Sequence, residues 1–469
     1  MDTTALDRTR TNPTSISHTR ERIGLITEAA RRAGSYVANA PHRPVYPPRD
    51  AVEALAAFDT PLPTRGRHAR EVLAELDAFG SAATTVVNAG RYFGFVTGGT
   101  DPAAQAAAIL AGAWDQNAGA GSPVAEAIDA VACRWVIQAL GLPSTAAAAF
   151  NGGATVANLT GIIAGRDALL ARAGWSVARD GLQGAPRLRV VVGDEVHASA
   201  LKALRLAGLG ESQIERVPTD AKGAVDADHF PQDTDALTLV LLQAGNVNTG
   251  ASDPFAQIIP GVRERGGWVH VDGAFGLWAA ASPAMAAQVR GVDLADSWAT
   301  DGHKWLSLPY DSGIVIVREA EDLHRACAAH APYIPFAGNS PMNKGIQISQ
   351  RARAVEAWAM LASHGAEGLA ALIERTCTHA RRLADALAAG GAQVLAPVQL
   401  NQVLVAFDDD VTTDAVLAAV EEDGTCWAGG TTWHGRRAMR LSVSDAATTA
   451  DDVDASAHAI LECWRRVRG

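Results

Sequence analysis

The chain has 469 residues, 48% of them hydrophobic and 19% charged, which is the composition of a folded globular protein and excludes a disordered or collagen-like chain. Its formal net charge of −11 argues against an extended nucleic-acid-binding surface. Five cysteines without a C-x-x-C pair, and the absence of a secretory signal or of an apolar run of about 18 residues, predict a cytoplasmic protein that does not enter the membrane.

Residues 1–80 are predicted to form a leader followed by a helical arm. The first fifteen or so residues are polar and predict a leader without chemistry. The apolar spacing from Thr19 to about Asn39 is typical of an amphipathic helix, which the proline-rich stretch 41–48 ends. The pattern is helical again over 51–79, with a break at Pro61 and Pro63. We expect this arm to pack against a second subunit.

Residues 81–348 are predicted to form a large α/β domain. Two helical segments occupy 103–142 and are separated by a glycine-rich break at 117–121. Short apolar runs typical of strands then alternate with helical stretches, which indicates a mostly parallel sheet covered by helices on both faces. These runs are 147–150, 189–192, 237–242, 268–271, 296–299 and 313–317. Residues 349–469 predict a smaller α+β domain that starts with a long helix.

Two polar segments follow successive predicted strands of the large domain. Residues 270–274 read H-V-D-G-A and residues 301–305 read D-G-H-K-W. Because the carboxyl ends of parallel strands meet at one crevice, Asp272 and Lys304 can face the same ligand. A lysine in a semi-buried crevice is a nucleophilic amine that can form an imine with an aldehyde. An aspartate beside it can hold a pyridinium nitrogen protonated. Taken singly, each residue also fits a solvated loop or a turn.

Two further strand ends carry candidate site residues. Residues 150–158 read F-N-G-G-A-T-V-A-N, a strand that passes through a glycine turn into a helix whose N-terminal N–H groups suit a phosphate. The spacing is that of neither a nucleotide P-loop nor a dinucleotide fold, and a plain connector remains an alternative. His197 follows another strand, where its imidazole can stack on a flat ring or merely cap a helix.

These segments, above all those at 270–274 and 301–305, resemble the pyridoxal-phosphate-dependent decarboxylases of the aromatic-L-amino-acid and glutamate decarboxylase group. The resemblance covers roughly residues 61–443. It implies an aspartate-aminotransferase-like fold of type I, pyridoxal 5'-phosphate as the cofactor, and a homodimer. By the same resemblance Lys304 would bind the cofactor covalently, Asp272 would pair with its pyridine nitrogen and His197 would stack on its ring. Ala274 would lie beneath the ring, and His303 near the phosphate and the substrate.

The resemblance also implies residues for the phosphate and the substrate. Ala154 and Thr155 would hold the phosphate, and the turn 245–250 resembles a cofactor-side turn of the family. Arg440 matches an arginine of the C-terminal domain near the active site. Phe93 and Phe95 lie in a segment similar to the family's substrate side and are equally readable as core aromatics.

Three positions depart from the family pattern. Val156 stands where the family often has a glutamate. Asp301 stands where animal members have an asparagine, and its carboxylate would repel a phosphate unless it points away or is neutralised. The segment 333–345 is shorter than the family's mobile loop. Tyr333 matches a tyrosine upstream of that loop, and no tyrosine follows it that could protonate the substrate carbon.

We expect decarboxylation of an L-amino acid, with aromatic side chains among the candidates, to an amine and CO₂. His303 or His197 is then the best proton donor available in the sequence. Without a loop phenol, oxidative conversion to an aldehyde is an alternative, as is transamination or aldol cleavage on the same cofactor. A different class of enzyme, a metal-dependent hydrolase, would use His270, Asp272 and His303 as metal ligands. A non-enzymatic binding module would need Lys304 to be dispensable.

Overall fold

The computed structural model describes residues 13–119, 121–329 and 340–469, and the chain divides after Ala89 into two compact units. The first unit contains the helices α1 (Pro13–Asn39), α2 (Arg49–Glu53) and α3 (Ala69–Glu75), with tighter or wider helical turns at Ala40–His42, Ala54–Phe58 and Leu76–Ser81. Most of the predicted leader, residues 1–12, lies outside the described residues. The break at Pro61 and Pro63 is confirmed, because residues 59–68 are not helical.

The main sheet of the second unit has seven strands, and their order is β1-β7-β6-β5-β4-β2-β3. In chain order they are β1 (Ala147–Asn151), β2 (Arg189–Gly193), β3 (Ile214–Val217), β4 (Thr238–Gln243), β5 (Trp268–Asp272), β6 (Ser297–Asp301) and β7 (Gly313–Val317). Strand β7 pairs antiparallel with both neighbours, and the remaining pairs are parallel. The predicted mostly parallel sheet is therefore confirmed, with β3 as an additional edge strand.

Both faces of this sheet are buried under helices. Alternate strand residues belong to different hydrophobic clusters: Val191 and Val240 pack in one, and Val190 and Leu239 in the other. The helices that precede, connect or follow the strands are α4 (Pro102–Trp114), α5 (Pro123–Ala139), α6 (Ala154–Arg172), α7 (Val177–Asp180), α8 (Ala198–Leu206), α9 (Phe255–Glu264) and α10 (Ala320–Cys327). The predicted α/β class is confirmed. Ala120, within the break between α4 and α5, lies outside the described residues.

The rest of the chain forms a second, smaller sheet with three helices. Helix α11 (Ala354–Ala389) is interrupted at Gly365, where φ is 62° and ψ is −175°. Four antiparallel strands follow in the order β10-β11-β9-β8. They are β8 (Gln393–Val394), β9 (Gln402–Ala406), β10 (Gly429–Trp433) and β11 (Arg436–Ser442). Along the chain, α12 (Asp410–Asp423) lies between β9 and β10, and α13 (Ala450–Arg468) follows β11. We propose that the three domains of the chain span residues 1–80, 81–348 and 349–469.

The strand directions decide where a site can form. Strands β1, β2, β4, β5 and β6 all run the same way, so their carboxyl ends meet at one edge of the main sheet. These ends are Asn151, Gly193, Gln243, Asp272 and Asp301. Within the described ranges no helix has the length and apolar character needed to cross a membrane.

Candidate active site

The carboxyl edge of the sheet opens into a cleft. Four residues predicted for the site line it together with four others, which come from the end of β4 and from neighbouring loops. The predicted residues are His197, Asp272, Ala274 and Lys304, and the others are Gln243, Gly245, Val247 and Phe275. Gly245 and Val247 belong to the turn 245–250, which the sequence had indicated. The structure thus places the predicted acid and amine in one cleft, and their chemical roles stay predictions.

Lys304 lies one turn beyond the end of β6 and faces Asp301. Its Nζ is 3.2 Å from Asp301 Oδ2, and the Asp301 side chain is 3% exposed. The other oxygen, Oδ1, accepts a hydrogen bond from the backbone N–H of Ala154 at 2.5 Å. The extra carboxylate at 301 therefore does not point away from the expected phosphate position. It is instead partly neutralised by the lysine and by the start of α6.

The start of α6 has the shape that an anion site requires. Gly153 adopts φ +139°, and its N–H donates to Asn151 Oδ1 at 3.0 Å. A Cβ at Gly153 would lie 3.3 Å from the His303 ring and 3.5 Å from Asp301 Oδ1, so a larger residue would crowd this turn. Ala154 begins the helix, and its first N–H groups are suited to a phosphate. Ala154 and Thr155 form the start of α6 next to Asp301, and their binding of a phosphate stays a prediction.

Asp272 is a buried carboxylate with one unpaired oxygen. Oδ1 accepts a hydrogen bond from the Ala274 N–H at 3.2 Å, whereas Oδ2 is buried and has no hydrogen bond of good geometry within the described chain. Burial raises the pKa of Asp272, and His197, Lys304 and the side-chain amide of Asn158 act in the opposite direction. A protonated ring nitrogen would supply the donor that Oδ2 lacks. The site therefore fits a pyridine cofactor that carries a phosphate.

The two site histidines are held in the same tautomer. His197 caps α8, and its Nδ1 accepts the Ser199 N–H at 3.2 Å. His303 Nδ1 accepts the Ser312 N–H at 3.1 Å. Burial is the main cause that lowers the pKa of both imidazoles, so both are neutral near neutrality. An Nδ1 that accepts leaves the proton on Nε2, and each ring therefore offers an Nε2–H donor.

The aromatic segment at 91–96 contributes one exposed ring. Phe93 is fully buried in a hydrophobic cluster with residues of the small sheet. Its expected contact with a substrate is therefore wrong, and it is a core residue beneath this segment. Phe95 is 62% exposed and adopts φ +50°, a conformation found mainly where backbone strain serves a function. Its ring stacks on Trp427 at 5.7 Å, and Trp427 stacks on Tyr92 at 5.1 Å.

A cation and two phenols adjoin this segment. Arg440 is mostly buried and donates from Nη1 to the Val247 carbonyl at 3.3 Å, whereas its Nε is buried without a hydrogen bond in the described part of the chain. The Tyr310 ring stacks on His303 at 4.2 Å, and burial raises the pKa of Tyr92 to about 12. Sequence reasoning missed Tyr310, because only the fold brings it to this place, and it gave Tyr92, which lies in the substrate-side segment, no role of its own. Tyr333 lies outside the described residues.

The proposed set of metal ligands is wrong. His270 is fully buried, with Nδ1 2.8 Å from Ser297 Oγ and Nε2 2.9 Å from Asn158 Oδ1, so neither ring nitrogen is available to a metal. Burial lowers the pKa of His270 to about 3. No group of three or more His, Cys, Asp or Glu side chains is arranged to hold a metal ion in the ranges that the structure describes.

Comparison with known sequences relates this chain to one family of enzymes. The model of the pyridoxal-dependent decarboxylase conserved domain matches residues 56–409. L-2,4-diaminobutyrate decarboxylase of Acinetobacter baumannii is 26% identical over 62% of this chain and 60% of the relative. Aromatic-L-amino-acid decarboxylase of Bacillus atrophaeus is 28% identical over 63% of each chain. 4-Hydroxyphenylacetaldehyde synthase of Rhodiola rosea is 27% identical over 57% of each. The matches thus span less than two thirds of these relatives.

Solved structures show the same architecture along nearly the whole chain. The crystal structure of Oryza sativa TDC with PLP and tryptamine superposes with a TM-score of 0.88 at 21% identity, covering 98% of this chain and 99% of that one. The crystal structure of mouse CSAD gives a TM-score of 0.86 at 18% identity, covering 97% and 99%. At these identities the likeness establishes the fold, and it confirms the predicted fold of type I.

Proposed function

The chain belongs to the pyridoxal-dependent decarboxylase family, and we propose that it removes the α-carboxyl group of an L-amino acid with pyridoxal 5'-phosphate as its cofactor. The observation that carries this proposal is the pairing, in one cleft, of the Lys304 amine with the buried and half-satisfied carboxylate of Asp272. A lysine and an acid in this arrangement are what the cofactor's aldehyde and ring nitrogen require.

Five parts of the site would hold the cofactor. Lys304 would bind its aldehyde, Asp272 its ring nitrogen, and the first turn of α6 with Ala154 its phosphate, while His197 and Ala274 would flank the ring. When bound, pyridoxal phosphate supplies a protonated ring that accepts the electrons of the breaking bond between Cα and the carboxylate. Asp272 keeps that ring protonated, because its buried negative charge stabilises the ring N–H.

The remaining groups suit the substrate. The Nε2–H of His197 can donate to the carboxylate that is to leave, and the unpaired Nε of mostly buried Arg440 offers a second donor. The stacked rings of Phe95 and Trp427 form an exposed aromatic surface on which a flat side chain can pack. We therefore propose an aromatic L-amino acid as the substrate. The name of the relative from Bacillus atrophaeus, aromatic-L-amino-acid decarboxylase, supports this choice.

Proton donors decide between an amine and an aldehyde product. The Nε2–H of His303 and the phenols of Tyr92 and Tyr310 lie in this part of the fold, and Tyr92 with a pKa of about 12 stays protonated. These groups favour return of a proton to Cα, which yields an amine. The aldehyde is the second candidate, supported by the short segment 333–345 and by the similarity to 4-hydroxyphenylacetaldehyde synthase.

A product balance tests both proposals. The purified enzyme with the cofactor is incubated with L-tryptophan, L-tyrosine, L-phenylalanine or L-DOPA, and with L-glutamate and L-2,4-diaminobutyrate as non-aromatic comparisons. We expect equal amounts of CO₂ and amine from an aromatic substrate, with no uptake of O₂. Aldehyde formed together with O₂ uptake would establish the second candidate, and keto-acid formation without CO₂ would contradict decarboxylation.

We further propose that the chain acts as a cytoplasmic homodimer. In the described part of the first unit the only buried hydrophobic residues are Ala40, Val45 and Val86. Large apolar side chains of the same unit are exposed, among them Ile23, Ile26, Leu62 and Leu76. A segment that buries so little apolar surface gains stability by packing on a second subunit. The five cysteines are free thiols, which suits a reducing compartment.

A further inference from the structure

A line of buried polar side chains runs beneath the cleft and ends at Asp272. The Trp268 Nε1–H donates to Ser297 Oγ at 2.9 Å, and Ser297 Oγ lies 2.8 Å from His270 Nδ1. His270 Nε2 lies 2.9 Å from Asn158 Oδ1. Trp268, His270 and Asp272 are alternate residues of β5 and therefore share one face of the strand. Ser297 comes from β6 and Asn158 from α6.

Chemistry fixes the direction of this line. The indole N–H of Trp268 can only donate, so Ser297 Oγ accepts from it. Asn158 Oδ1 can only accept, so the proton of neutral His270 sits on Nε2, and Nδ1 accepts the proton of Ser297 Oγ. His270 is neutral, because burial lowers its pKa to about 3, and its remaining proton sits on Nε2 and is donated to Asn158 Oδ1. The opposite direction would turn the Asn158 carbonyl toward the Asp272 carboxylate and place two acceptors face to face.

Packing holds the imidazole in place. His270 has no exposed surface, and Gly161 of α6 lies directly against it. A Cβ at Gly161 would come within 2.5 Å of His270 Cε1, so the helix approaches the ring as closely as glycine permits. The orientation of the His270 ring, and with it that of the Asn158 amide, is therefore set by the fold.

Two buried polar atoms are left at the end of the line. The Nδ2 of Asn158 and the Oδ2 of Asp272 are both buried, and neither has a hydrogen-bond partner among the described residues. The Asn158 amide acts on Asp272 as a donor would, because it lowers the pKa of that carboxyl while burial raises it. The other charged or titratable groups that act on Asp272 are His197, Lys304 and Asp301.

We propose that Asn158 is a positioning residue for the cofactor: the line from Trp268 directs its amide N–H to the unpaired oxygen of Asp272 and holds that carboxylate ready for the ring nitrogen. This inference rests on the proposed function. It assigns to Asn158, which is fully buried and does not line the cleft, control over how strongly Asp272 binds a protonated ring.

The test compares two cofactors in the same protein. Apoenzyme is titrated with pyridoxal phosphate and with its analogue in which the ring nitrogen is replaced by C–H, and binding is followed by absorbance. The wild type is expected to prefer pyridoxal phosphate. In Asn158→Leu we expect that preference to fall about tenfold, since a hydrogen bond to a charged group is lost, with little change in affinity for the analogue.

Matched variants separate this role from a structural one. Asn401→Leu removes another fully buried asparagine, which bonds Ser444 away from the cleft, and should leave the preference unchanged. Ser297→Ala breaks the line two residues before Asn158 and should lower the preference in the same direction, which keeps the test usable if Asn158→Leu does not fold. Equal loss of affinity for both ligands, or an unchanged preference, would overturn the role of Asn158. A wild type that binds neither ligand would instead contradict the proposed function.

Discussion

At the scale of single residues, the sequence did not decide whether the carboxylate of Asp301 repels the cofactor phosphate. Its two oxygens contact the Ala154 N–H and the Lys304 ammonium, and His303 Nε2 lies 3.6 Å from Oδ1. A carboxylate at a helix N-terminus occupies favourable potential, the same potential that a phosphate would use. At the proposed phosphate site, Asp301 would therefore compete with the cofactor phosphate for the start of α6.

Neutralising Asp301 should tighten cofactor binding. Asp301→Asn keeps an oxygen that can accept from the Ala154 N–H but removes the negative charge that repels a phosphate. We expect the Kd for pyridoxal phosphate to fall by about fivefold to tenfold, as judged by fluorescence titration of the apoenzyme. Asp233→Asn, an exposed carboxylate paired with Arg189, serves as the control and should leave the Kd unaltered. An equal or weaker affinity in Asp301→Asn would contradict the competition between this carboxylate and the phosphate.

The sequence was most informative where one strand end carries one reactive group. Asp272 and Lys304 could be predicted to meet, because parallel strands deliver their carboxyl ends to the same edge. Asn158 could not, because it acts through His270, which is 112 residues away along the chain. Tyr310 could not, because an exposed tyrosine outside any strand or helix carries no sequence signal for stacking on His303. Phe93 was ambiguous because a phenylalanine two residues from the exposed Phe95 can equally be a core side chain or a side chain that lines a pocket.

At the scale of elements, the interruption of α11 at Gly365 is a feature that the periodicity did not predict. The helical pattern continues through this position, and glycine is tolerated inside helices, so no sequence signal marked the break. The conformation at Gly365, φ 62° and ψ −175°, is accessible to glycine almost exclusively. Strands β3 and β10 were missed because the first is a short edge strand with two exposed charged residues and the second is rich in glycine and threonine.

The same substitution at two glycines should therefore have opposite effects. A Cβ meets no atom within 4 Å at Gly365 or at Gly112, which lies in the regular part of α4, so only the backbone differs. We expect Gly365→Ala to destabilise the protein by about 1 to 3 kcal/mol, because alanine cannot adopt the native conformation without strain. Gly112→Ala should stabilise it by about 0.5 to 1 kcal/mol. Thermal unfolding checks both, and shifts of the same sign would contradict the break at Gly365.

At the scale of the whole molecule, the strand and helix alternation predicted the α/β architecture, because both sheet faces are covered and the central strands are largely apolar. Subunit assembly leaves a weaker mark in the sequence. An amphipathic helix such as α1 has the same pattern whether its apolar side packs within its own chain or on another one.

The proposed dimer is tested by mass in solution. Light scattering on the purified holoenzyme should give twice the chain mass of 48.8 kDa, and a doubly charged variant of the exposed apolar arm, Ile23→Asp with Ile26→Asp, should shift it toward the single mass. Wild-type protein that is fully active at the single mass would rule out the dimer as the functional unit.

The central claim is that the cofactor is bound through the amine of one lysine, and it can be read out directly. Holoenzyme is reduced with borohydride, digested, and analysed by mass spectrometry for the peptide that carries the reduced cofactor. We expect the label on Lys304, its loss together with the visible absorbance in Lys304→Arg, and its retention in Lys202→Arg, a substitution outside the cleft. A label on another lysine, or full activity of Lys304→Arg without any label, would contradict the claim.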